Sequence, residues 1–206
     1  FPDDVFALER QSIAERGEKP MSVAQTVRER RSIRSFNRLP VSRELILELL
    51  NDAVWAPNHG LREPWRFILI ESPEGRERLA DLAVNASGNM MRMKLLPAKL
   101  KELMKKKVAE IPASLVVVMK EEKNEHKREE NFAAVCCLMQ NMQLLGWERR
   151  LGMTWTTFEF IRSPVFREGL GVKEGEQIVG ILHIGYFDKA PNPKPRTPAE
   201  KKLTIW

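Results

Sequence analysis

The chain has 206 residues, 43% of them hydrophobic and 30% charged, a balance that supports one packed domain and excludes collagen-like, coiled-coil and wholly disordered classes. No stretch reaches the roughly 18 to 20 apolar residues that span a bilayer, and the acidic start Phe1-Pro2-Asp3-Asp4 lacks the bases of a secretory signal. Neither a membrane protein nor a secreted one is expected. The net charge of +6 admits an anionic partner, whether nucleic acid, a membrane surface or a phosphorylated cofactor.

Residues 1–20 read as a polar N-terminal extension, and residues 21–206 as a single domain with a C-terminal arm from about residue 190. Met21 to Arg31 reads as a helix whose basic end suits the helix dipole. Pro40 breaks the chain, Ser42 caps a second helix with the inner stripe Leu45, Ile46, Leu49, Leu50 and Ala53, and that helix is expected to stop near Pro57. A loop, Pro57 to Pro64, leads into Trp65 to Ile70, an apolar run of strand length. Ser72-Pro73-Glu74 opens a helix through about Val84, and Lys94 to Ala109 forms a more basic one ended by Pro112. Leu115 to Met119 reads as a buried strand.

Lys120 to Glu130 alternates in charge and reads as a solvated helix face or loop, with His126 exposed and idle. Asn131 to Trp147 is a helix apolar nearly all round, which has to be enclosed at the centre of the domain or against a second copy of itself. Its adjacent cysteines, Cys136 and Cys137, have neither disulfide-framework nor metal-ligand spacing; they read as small buried hydrophobes in a reducing, cytoplasmic setting. Leu151 to Phe158 is extended and aromatic, Ser163-Pro164 opens a short helix, and Ile178 to Ile184 is another core strand. Prolines crowd the stretch from Pro191 to Pro198, which gives an extended arm carrying the apolar end Leu203-Thr204-Ile205-Trp206. Such an end calls for a docking surface, and a partner subunit is one candidate. The expected class is α+β.

Several chemistries lack a local signature. Three scattered histidines, His59, His126 and His183, do not make a zinc set; no metal is expected. Nor is there a GKS/T phosphate loop, a GxGxxG fingerprint or a GxSxG elbow. Any phosphate has to be held by arginines. Arg30-Arg31-Ser32-Ile33-Arg34 offers forked guanidinium donors and a hydroxyl at a helix end; the alternative is a solvated helix end with scattered ion pairs. The stiff segment Lys194-Pro195-Arg196 has the reach to add two cations to the same anion.

Arg30-Arg31-Ser32-Ile33-Arg34-Ser35-Phe36, followed by Ala56-Pro57-Asn58-His59 and Glu63-Pro64-Trp65-Arg66-Phe67, resembles the opening of the nitroreductase family of flavin enzymes. Leu151-Gly152 with Trp155, Ser163-Pro164, Gly180 to Gly185 and Lys194-Pro195-Arg196 continue the likeness in order. The resemblance implies a central, mostly antiparallel sheet flanked by helices, an intertwined homodimer, and FMN in clefts between subunits. It implies that Arg30, Arg31, Ser32, Lys194 and Arg196 hold the FMN phosphate. It places Arg34 at the pyrimidine edge as a flavin-tuning cation, Trp55 and His59 at loop-side contacts, and Trp155, Thr156 and Thr157 along the ring near N5. NADH or NADPH is then the co-substrate of a ping-pong hydride transfer to a small electron-poor acceptor such as a nitroaromatic or quinone. The alternatives are a specialised flavin enzyme of the same fold and, from charge alone, a non-enzymatic nucleic-acid-binding module. The latter is disfavoured, because no aromatics are interleaved with the bases.

Overall fold

The computed structural model of the protein describes residues 21–87 and 96–206. The N-terminal extension and Lys94, the expected start of the basic helix, lie outside these. The helices begin where short polar side chains satisfy free backbone N–H groups. Ser22 accepts from Gln25 N at the head of α1 (Val23–Glu29), and Ser42 accepts from Leu45 N at the head of α2 (Arg43–Ala53). β1 (Trp65–Ile70) has the expected bounds. It is followed by α3 (Pro73–Ser87), α4 (Ala98–Ala109) and β2 (Ala113–Lys120). The second half comprises α5 (Glu125–Glu148), β3 (Leu151–Thr156), α6 (Pro164–Gly169) and β4 (Glu176–Tyr186).

These strands form one antiparallel sheet in the order β1-β2-β4-β3. The α+β class and the antiparallel sheet flanked by helices are as expected. One face of the sheet packs Leu115, Val117, Met119, Leu182 and Ile184 against α2 and α5; the other packs Val116, Val118, Ile178 and Ile181 against α3 and α6. Burial of each such Leu or Ile contributes about 1.5–3 kcal/mol. Between Ile178 and Gly180 the β2–β4 register slips by one residue, and Val179 joins the α5 face instead of alternating away from it. Gly180 is required there by close approach: a Cβ on it would collide with the Trp155 indole nitrogen.

The charged run before Asn131 is a mostly exposed helix face, one of the two forms expected of it. α5 already starts at Glu125, with Asn124 accepting from Lys127 N at 2.9 Å. The helix buries Val135, Leu138, Met139 and Met142 but leaves Phe132 and Cys137 exposed. The reading of both cysteines as buried is therefore corrected: only Cys136 is partly covered, and burial, with Cys137 beside it, raises its thiol pKa. Beyond β4, residues 191–206 run fully exposed, with a single turn of 3-10 helix at Ala199–Lys202. Among the described residues no helix is long and apolar enough to cross a membrane.

Candidate active site

The arginine motif is tied to the edge of the sheet. Ser32 bridges Met153 of β3 in parallel register, and Ile33 N donates to Met153 O at 3.1 Å. Gly152 makes this possible, because a Cβ there stands 2.5 Å from Ile33 Cγ1. Ile33 itself is buried, which turns its neighbours Ser32 and Arg34 toward the rim.

Arg30 is partly buried and donates from Nη1 to Gln143 Oε1 at 3.3 Å, while its Nε is buried without a partner. Its pKa is lowered by burial first, then by the nearby charges of Arg31 and Arg196. Arg196 therefore comes back from the arm into the electrostatic field of Arg30. Among the described residues no ion pair joins any of these three cations to a carboxylate. Positive charge gathered without a counter-ion, around a buried unsatisfied donor, is the chemistry of an anion site.

Arg31 has a second task. Its Nη1 donates to the carbonyls of Arg28 and Arg30 at 2.6 and 2.8 Å, bracing the turn after α1. Arg34 is exposed and lines a cleft of about 160 Å³ with Ser32, Ser35, Lys189 and Pro191. Lys189 escaped the sequence reading because it lies outside both basic clusters; its signal is its place at the root of the proline-rich arm. Lys194 is exposed and accepts at its carbonyl from Arg196 Nη1 at 3.1 Å. A larger groove, about 520 Å³, runs along α4 and is lined by none of the residues singled out from sequence.

At the far end of β3 the three expected ring contacts separate. Trp155 turns to the α5 face, where its Nε1 is buried over Gly180 with no partner, so the indole nitrogen is not a contact at the rim. Thr156 turns to the opposite face, where its hydroxyl meets Ile181 O and His183. Thr157 alone is exposed.

His59 belongs to a second cluster. Trp55 follows α2 and is 87% exposed. His59 Nδ1 lies 3.1 Å from Glu130 Oε1, and Arg62 donates to Glu130 Oε2 at 2.9 Å. His126, exposed as expected, has its Nε2 3.5 Å from the same carboxylate. The Arg62 hydrogen bond, with His59 and His126 nearby, holds the Glu130 pKa below the ordinary carboxylate value. This loop contains Gly60, Leu61 and Glu63 at φ of 64°, 48° and 43°, left-handed backbone that carries strain at the two non-glycine positions.

The model of the nitroreductase family matches residues 27–186. The chain belongs to that family. YfhC of Bacillus subtilis, provisionally named an NAD(P)H nitroreductase, is 36% identical over 178 residues, covering 86% of this chain and 91% of its own. The crystal structure of a nitroreductase-like family protein from Bacillus cereus is 45% identical, with a TM-score of 0.83 over 91% of this chain and 97% of that one. The FMN and NADPH-dependent nitroreductase NfnB from Sphigopyxis sp. strain HMH shares the fold at 16% identity, with a TM-score of 0.74 over 90% of this chain and 99% of that one.

Proposed function

We propose that this nitroreductase-family protein is an FMN-dependent oxidoreductase. On this reading it takes hydride from NADH or NADPH and passes it in a ping-pong cycle to nitroaromatics, quinones or other electron-poor small molecules. The observation that carries the reading is the convergence of Arg30, Arg31 and Arg196, with no carboxylate among them, beside Ser32 on the sheet edge. A cradle of that charge fits a terminal phosphate. The fit extends along β3, where Met153 to Thr156 covers about 10 Å of extended chain, enough to run from a phosphate to a ring.

Arg30, Arg31, Ser32 and Arg196 then hold the phosphate, with Lys194 adding charge from the arm. Arg34 flanks the ring, and the end of β3, through its backbone at Thr156 and through Thr157, lines its far side. Bound there, FMN supplies a two-electron carrier between the nucleotide and the acceptor. Arg34 contributes a fixed cation where negative charge accumulates on reduction. Trp55 and His59, both exposed, complete the site from a second subunit in a homodimer. That arrangement is supported by the exposed apolar residues Leu47, Leu61 and Phe132 and by the uncovered arm end Leu203, Ile205 and Trp206. Free Cys136 and Cys137 are consistent with work in the reducing cytoplasm. Membership in a family of oxidoreductases displaces the nucleic-acid-binding alternative drawn from charge.

Purified protein is expected to be yellow, with flavin absorbance that persists through desalting. Colourless protein that takes up no added FMN overturns the proposal. Within the coloured enzyme, Arg34→Ala is expected to slow reduction by NAD(P)H about a hundredfold, the lower side of what one electrostatic contact contributes, while FMN content falls less. Stopped-flow traces beside cofactor quantitation check this; an equal or larger loss of FMN removes the electronic role.

A further inference from the structure

Sequence singles out His183 only as one of three histidines unable to form a zinc site, yet it holds a buried polar position with side-chain partners on two other strands. It lies on β4 with 9% of its surface exposed, between Ser114 of β2 at 1% and the partly exposed Thr156 of β3. Ser114 Oγ is 2.9 Å from His183 Nδ1, and Thr156 Oγ1 is 3.3 Å from His183 Nε2. We propose that His183 is a positioning residue of the flavin site, the central member of a buried chain that fixes Thr156 and with it the outer end of β3. The inference rests on the flavin reading given above, which sets the ring at Thr156 and Thr157.

The direction of the chain follows from counting protons. Thr156 has one hydroxyl proton and donates it to Ile181 O at 3.3 Å. Toward His183 it is therefore an acceptor, which requires the imidazole proton on Nε2. A neutral imidazole has one proton, so Nδ1 accepts, and Ser114 donates to it. With Thr156 donating to Ile181 O, one arrangement satisfies every member, from Ser114 through His183 and Thr156 to Ile181. Burial lowers the pKa of His183 to about 4, which keeps the ring in this neutral form.

These polar positions face the layer built from Val116, Val118, Ile178 and Ile181, where an apolar side chain serves packing as well. A buried polar network costs desolvation unless complete, and complete it specifies one geometry. What this one specifies is the rim. The chain ends on its only partly exposed member, one residue from exposed Thr157, while Trp155 is pinned over Gly180 on the opposite face. With both side chains held inward, the end of β3 presents its backbone and Thr157 in a fixed pose.

The test uses the FMN-loaded enzyme and its variants, with FMN affinity, the flavin midpoint potential and imidazole 15N spectra as readouts. The wild-type spectra are expected to carry the His183 proton on Nε2. His183→Phe is expected to weaken FMN binding about tenfold and to change the ratio of oxidised to reduced flavin affinity by a similar factor, which for two electrons is about 30 mV. His183→Gln, whose amide accepts from Ser114 and donates to Thr156, is expected to restore both within twofold. Thr156→Val is expected to reproduce the phenylalanine effect, and the double variant to add nothing to it, as members of one network do. Should His183→Phe fail to fold, Thr156→Val and Ser114→Ala carry the test. Unmoved affinity and potential in the folded variants, or a proton found on Nδ1, overturn the inference. A wild-type protein that binds no FMN overturns the flavin reading itself, and the 15N spectra still report whether the buried chain exists.

Discussion

Arg30→Ala combined with Arg196→Ala is expected to strip the protein of its flavin while leaving the polypeptide as stable as before. Each charge-assisted hydrogen bond to a phosphate is worth roughly 1.5–3 kcal/mol. The pair together is then expected to account for about 3–6 kcal/mol, or roughly a hundred- to ten-thousandfold in Kd. The stability half follows from the electrostatics of the empty cradle. Burial and the charges of Arg31 and Arg196 all disfavour the cationic form of Arg30, so without an anion this guanidinium is a liability to the fold. Removing it loses one 3.3 Å hydrogen bond to Gln143 but relieves that repulsion. The apo double variant is therefore expected to melt no lower than apo wild type. Fluorescence titration with FMN and thermal melts of both apoproteins check the two halves together. A Kd within twofold of wild type removes the phosphate assignment. A collapse in stability makes the arginines structural instead. Arg31→Ala is a useful contrast, because its contacts with the carbonyls of Arg28 and Arg30 at 2.6 and 2.8 Å brace the turn after α1 and are shorter than the 3.3 Å bond of Arg30 and the 3.1 Å bond of Arg196.

The parts of this arrangement that sequence reveals are those set by local chemistry. Trp65 to Ile70 is legible because Pro64 and Glu71 bound an apolar run of strand length, and the starts of α2 and α6 because Ser42 and Ser163 stand where a cap is needed. The first turns of α5 stay undecided between helix face and loop for the opposite reason. Glu125 to Glu130 alternate in charge like a solvated stretch, and only the Asn124 cap and the pairing of Glu130 with Arg62 and His59 show why they are helical. Register is out of reach from one strand alone, so the slip at Val179, and the need for glycine at 180, appear only once β2 and Trp155 are in place. The arginine motif is legible as a basic cluster, and its resemblance to a family pattern is what favours a phosphate site over a solvated helix end. That Arg196 returns to it depends on the path of an arm that no periodicity describes. His183 was missed because a lone histidine within Ile178 to Ile184 takes its meaning from partners on two other strands. The available signal was a polar residue in each of two otherwise apolar strands, Ser114 and His183.

That same histidine sets an acid limit on the fold. Its pKa in the folded protein is lowered from 6.5 to about 4 by burial, whereas in the unfolded chain it returns to the ordinary value. Between these two values the unfolded state binds the extra proton and the folded state does not, so stability is full above about pH 6.5 and falls as the pH drops toward 4. By pH 4.5 the loss attributable to His183 is expected to be about 2–3 kcal/mol, because each tenfold difference in proton affinity between the two states is worth roughly 1.36 kcal/mol. The lowered carboxylates behave with the same sign but in a lower window. Glu130 and Glu176, held down chiefly by hydrogen bonds from Arg62 and Arg66, lose their contribution only as the pH falls through and below the ordinary value of 4.5. From pH 6.5 to about 5.5 the change is therefore chiefly that of the histidine, with the carboxylates joining as the pH nears 4.5. His183→Gln keeps a donor and an acceptor in place but has nothing to titrate, so its chemical-denaturation stability is expected to stay nearly flat across that interval while wild type declines. Parallel slopes in the two proteins place the imidazole where water reaches it, and the buried chain from Ser114 to Thr156 then loses its central member.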